Sequence, residues 1–63
     1  MSTYERQLRE LLTDAIRTRA ADFNKALHYG AALQLVAQKF GHAEIRIVLS
    51  VCDELLKEGL LWQ

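Results

Sequence analysis

The chain has 63 residues, 51% of them hydrophobic, with eight lysines and arginines balanced by eight aspartates and glutamates, no proline and one cysteine. That length makes one domain, residues 1–63. The single cysteine excludes an internal disulfide, and zero net charge weighs against a strong, non-specific nucleic-acid binder, which carries a basic excess.

A domain this small buries only about 60% of its unfolded surface. Its stability must come from regular helix packing or from self-association, and its apolar content is more than one small core can hide. No apolar run approaches the roughly 20 residues of a membrane span. Polar residues, not a signal-peptide apolar run, follow Met1, so the cytoplasm is the expected location.

Ser2, with Glu5 three residues on, forms a capping box for a first helix. Tyr4, Leu8, Leu11, Leu12, Ala15 and Ile16 recur at helical spacing as its apolar face, and the helix is expected to end near Ala20. Its arginines, Arg6, Arg9 and Arg17 among them, form either a solvated surface or a phosphate-facing strip. Glu10 is placed to pair with Arg6. Asp22 or Asn24 then caps a second helix, in which Phe23, Ala26, Leu27, Ala31, Leu33, Val36, Ala37 and Phe40 keep the period. Gly30 falls inside that pattern and marks a kink, a close contact or a break. Gly41 stops the helix. Ala43 to Glu58 reads as a third helix, ended by Gly59, and Leu60 to Trp62 have room for at most one short strand. The fold class is therefore all-α: a small bundle of three helices, or four if Gly30 breaks the second, containing a helix-turn-helix-like pair.

Residues 34–50 resemble the helix-turn-helix pattern. Val36, Phe40 and Ile47 take its apolar positions, Ala37 the small residue at the helix crossing, and Gly41 the turn. Residues 51–61, "VCDELLKEGLL", look like the end of the third helix of winged-helix domains. The resemblance implies a domain that sets its third helix in the DNA major groove, with the wing missing or vestigial, since two more strands do not fit before Gln63. His42 and Ser50 depart from the pattern, which favours aliphatic residues there.

On the third helix, Val48, Cys52 and Leu55, with Ile45 or Ile47, are expected to face the core. The remaining side, Ala43, Glu44, Arg46, Leu49 and Ser50, is poor in base-reading groups, and Arg46 alone suits guanine. Ile45, Val48, Leu49, Cys52, Leu55 and Leu56 make a stripe wider than the ~100° that an ordinary surface helix needs. The expected function is thus that of a small non-enzymatic regulator acting by protein–protein contact, self-associating as a homodimer or meeting a protein partner through Ile45, Leu49, Leu56 and Trp62. The alternative is a dimeric DNA-binding transcriptional regulator using Lys39, His42 and Arg46. No cofactor, metal or catalytic set is expected. Cys52 sits among apolar residues without a neighbouring base, Glu54 and Glu58 read as a solvated helix face, and His28 and His42 read as ordinary surface or partly buried histidines. Trp62 either pins the C-terminal tail or anchors the interface.

Overall fold

The structure, a computed structural model, describes residues 2–63. The element order is α1 (Thr3–Phe23), β1 (Leu27–His28), α2 (Tyr29–Phe40), α3 (Ile45–Glu58) and β2 (Leu61–Trp62). The chain is an all-α bundle of three helices, joined at one end by a two-residue parallel ladder. Gly30 does not split the second helix, so the four-helix option falls away.

Ser2 caps α1 as the sequence implies, its Oγ accepting the Glu5 amide at 3.1 Å. The helix runs past Ala20 to Phe23 and stops at Asn24, which takes the left-handed conformation at φ 55°. Asparagine tolerates that region better than other side-chain-bearing residues, and its amide closes on the carbonyls of Ala20 and Ala21. Asp22 therefore lies in the last turn of α1, and Asn24 ends a helix instead of starting one. The expected second helix loses its first residues for a tertiary reason: Leu27 is buried as a strand residue, and its amide donates to the Leu60 carbonyl at 3.0 Å.

His28 starts α2. Its Nδ1 accepts the Gly30 amide at 3.0 Å, so the imidazole stands where a serine or aspartate cap usually does. A Cβ on residue 30 would lie 3.2 Å from that same Nδ1. Of the three roles open to Gly30, the structure assigns the close contact, in the first turn of α2. At the other end of α2, Gly41 holds φ 65° and ψ −127°, and its amide bonds back to the Ala37 carbonyl. The third helix starts at Ile45, two residues later than expected, and Gly59 ends it.

Leu27 pairs with Leu61 and His28 with Trp62. The tail, which had room for at most one short strand, forms one, and β1 is its unanticipated partner. Parallel strands need a crossover, and α2 and α3 together supply it. The core lies between the helices: Leu8, Leu12, Ile16 and Ala20 of α1, Ala32, Leu35 and Val36 of α2, and Ile47, Val48, Val51, Cys52 and Leu55 of α3, with Leu27 and Leu61 closing the strand end. Of the two options at the start of α3, Ile47 is the core residue and Ile45 is not. Tyr4 and Leu11, expected on the buried face of α1, are exposed. Burial pushes the Cys52 thiol up, reinforced by the charge of Asp53, and holds it as a small hydrophobe instead of a nucleophile.

Charged side chains register α1 against α3. Arg9 donates to Ser50 Oγ at 2.9 Å and pairs with Glu54, and Arg17 pairs with Glu58 at 2.9 Å. The partners rise together in number, so the two helices run in the same direction. Glu54 and Glu58 are exposed, as a solvated helix face implies, and are in addition partners of the first-helix arginines. Arg9 and Arg17 are correspondingly not part of an open phosphate strip. Each such pair at the surface contributes about 1 kcal/mol or less; their effect is to select one alignment.

Tyr29, partly buried at the start of α2, donates its hydroxyl to Asp53 Oδ1 at 2.8 Å. Burial first, then the hydrogen bond to Asp53 and that residue's negative charge, push the phenol up to about 12. Tyrosine becomes charged on losing its proton, so a folded value above the ordinary one of about 10 fixes the sign. The contribution is complete below pH ~10 and is lost as pH rises through about 12. A Tyr4→Phe variant, which keeps Tyr29 as its sole tyrosine, should show a phenolate absorbance step centred near pH 12. A midpoint near 10 would mean that the Tyr29–Asp53 bond is absent.

A candidate protein-contact face on the third helix

Helix α3 has two unlike sides. With 3.6 residues per turn, Ile47, Val48, Val51, Cys52 and Leu55 fall on one side and are buried. Leu49, Asp53 and Arg46 fall on the opposite side, where the Asp53 carboxylate accepts the Tyr29 hydroxyl of α2 and Arg46 reaches Glu5 of α1. Ile45 and Leu56 lie on the flank between, next to Leu49. The broad stripe seen in the sequence is therefore divided. Val48, Cys52 and Leu55 belong to the core, whereas Ile45 is 64% exposed and Leu49 39% exposed. Leu56 is intermediate, packed against the edge of the core.

The structure brings Ile45, Leu49 and Leu56 onto one flank, at steps of four and seven residues. It sets Trp62 apart from Ile45 and Leu49, at the end of α3 that carries Leu56. Trp62 follows the far end of α3, whose length is ~20 Å at 1.5 Å per residue. Its ring meets that of His28 edge-on, with centroids 4.6 Å apart at 78°. Trp62 is nevertheless half exposed, so pinning and exposure coexist in one side chain. His28, which reads as an ordinary histidine in the sequence, is both the cap of α2 and the partner of Trp62. The local signal that pointed to it was Gly30, whose missing side chain makes room for the imidazole.

The exposed apolar residues also include Phe23 at the end of α1, which the sequence placed in the second helix. The guanidinium of Arg19 lies 5.8 Å from its ring centroid, within the range of a cation–π contact.

Lys39, His42 and Arg46 gather around the Gly41 turn, and all three are exposed. Arg46, the most exposed of the cations that make ion pairs, reaches Glu44 at 3.4 Å and Glu5 at 3.5 Å through Nη2. Both contacts are long, and both set a carboxylate beside the one side chain in this cluster suited to guanine.

Among the described residues, no group of three or more His, Cys, Asp or Glu is placed to hold a metal ion. Among the described residues, no helix is long and apolar enough to cross a membrane. Buried polar side-chain atoms without a hydrogen-bond partner are absent among the described residues. Comparison with protein-family models, curated proteins and solved structures finds no match to this chain.

Proposed function

We propose that this chain is a small, non-enzymatic, cytoplasmic regulatory protein that acts through protein–protein contact and associates with itself. In this reading α2, the Gly41 turn and α3 form a helix-turn-helix-like frame, and the outward side of α3 is the contact surface. The observation that carries it is the exposure of Ile45 and Leu49 on a helix whose other aliphatic side chains are buried, Leu56 alone being partly so. Aliphatic side chains gain about 1.5–3 kcal/mol each on full burial, a gain that an interface on this flank would realise. Trp62 is a further apolar contact at the far end of the same helix.

Sedimentation velocity over a range of concentrations tests the reading. The wild-type chain should move from monomer to dimer as concentration rises. Leu49→Asp should remain monomeric with an unchanged far-ultraviolet circular dichroism spectrum, because residue 49 contributes little to the core. A wild-type chain that stays strictly monomeric would remove self-association from the proposal.

A DNA-binding regulator is the second reading, supported by the gathering of Lys39, His42 and Arg46 at the α2–α3 turn. Glu5 and Glu44 beside Arg46 weigh against it, because they compete with a base or phosphate for its guanidinium. Gel shifts at several salt concentrations separate the readings. DNA binding through phosphate contacts weakens steeply with salt and falls in Arg46→Ala, whereas Leu49→Asp, still able to bind as a monomer, retains whatever intrinsic DNA affinity exists.

A further inference from the structure

Resting on the reading of α3 as a self-association face, we propose its geometry. Two copies pack α3 against α3 in antiparallel fashion about a two-fold axis near Ser50, with Arg46 of each copy paired to Asp53 of the other.

The pattern of charge and shape on the outward side of α3 is self-complementary only in that arrangement. In an antiparallel pair, a residue lying some distance before the axis meets the residue lying the same distance after it. Ile45 and Leu56 are placed symmetrically about a point between residues 50 and 51. Arg46 and Asp53 are symmetric about a point between 49 and 50. At 1.5 Å rise per residue these centres differ by only about 1.5 Å, so one axis serves both pairs. Leu49 lies beside that axis and meets its own copy.

The lateral order agrees. At about 100° of rotation per residue, Ile45 and Leu56 share one flank, Arg46 and Asp53 share the other, and Leu49 lies between. Across a two-fold axis each flank faces its own copy, as in antiparallel coiled coils, so aliphatic meets aliphatic and cation meets anion. A parallel pairing would set the Arg46 and Asp53 flank of one copy against the Ile45 and Leu56 flank of the other, charge against aliphatic.

Both charged groups keep bonding positions for a partner, although Glu5 and Glu44 compete with the partner's carboxylate for Arg46 as they would with a phosphate. The Arg46 side chain is 73% exposed, and its long contacts to Glu5 and Glu44 use Nη2, leaving Nη1 and Nε. Tyr29 donates to Oδ1 of Asp53, which leaves Oδ2 to accept from the partner's guanidinium. The chain's zero net charge removes any overall repulsion between copies.

A charge exchange tests this geometry. Arg46→Asp alone places two aspartates opposite each other at both symmetric points, and Asp53→Arg alone places two arginines there. Each should weaken dimerisation by about tenfold or more, as like charges across an interface do. An equimolar mixture of the two variants restores both ion pairs in a heterodimer. It should sediment as a dimer with an affinity within a few-fold of wild type, and native mass spectrometry should find one copy of each. Cross-linking gives an independent reading that leaves the charges untouched. In a Cys52→Ala background, Leu49→Cys should form an intermolecular disulfide with oxidised glutathione. Ile45→Cys should not do so with itself, because its two copies lie well beyond the roughly 7 Å Cα separation a disulfide spans. Ile45→Cys mixed with Leu56→Cys should cross-link. If wild type dimerises and Leu49→Asp abolishes it, but the mixture fails to restore dimers or Ile45→Cys links to itself, the antiparallel arrangement is wrong and the contact face stands. If wild type never dimerises, both fall.

Discussion

Leu12→Ala is expected to destabilise the fold by about 2–5 kcal/mol. A domain of this length has only ~3–9 kcal/mol in total, at about 0.05–0.15 kcal/mol per residue, so the variant should be partly unfolded at room temperature. Leu12 is fully enclosed where α1 meets the other two helices. Removing its isobutyl group loses the transfer free energy and leaves a void that three short helices close only in part. The neighbouring leucine is the control. Leu11 is 55% exposed, and Leu11→Ala should cost about 0.5 kcal/mol or less. Urea titrations followed by circular dichroism compare the two directly. Equal losses would mean that α1 is rotated about its axis from the orientation described.

Gly41→Ala should have the second-largest effect, about 1–3 kcal/mol. The conformation at Gly41, φ 65° with ψ −127°, lies outside the left-handed helical region that asparagine or aspartate tolerates. A Cβ there meets no neighbouring atom within 4 Å, so the cost is backbone strain alone. Gly59 provides the comparison, since φ 85° and ψ 6° place it near the left-handed helical well. Gly59→Asn should therefore cost less than Gly41→Asn. Thermal melts resolve this ordering, because 1 kcal/mol shifts the midpoint of a domain this size by about 4–8 °C. The reverse ordering would show that the α2–α3 turn has a different backbone path.

Helices α1 and α3 and the stops at Gly41 and Gly59 could be read from the chain because each rests on local signals: a capping box, apolar periodicity and turn residues. The start of α2 could not. Phe23, Ala26 and Leu27 are spaced as in a helix, and only the pairing of Leu27 with Leu61, 34 positions away, makes Leu27 a strand residue. Asn24 was ambiguous for a related reason, because the side chain that suits a helix start also tolerates the conformation that ends one. The α3 stripe was legible as too broad, but its division was not. Whether Ile45 or Ile47 enters the core depends on the angle at which α1 crosses α3, which the pairs of Arg9 with Glu54 and Arg17 with Glu58 help to set. The link from Tyr29 to Asp53 joins two helices and had no local signature.

The ladder between β1 and β2 bears on the order in which the molecule assembles. It joins segments on either side of a hairpin of two helices, and each strand is only two residues long. Closing so large a loop costs entropy that two residue pairs repay only once the intervening helices are already docked. The ladder should therefore form late, acting as a clasp that reports completion of the hairpin rather than a nucleus that starts it. Helix α1 lies outside the clasped loop and reaches its place by side-on docking.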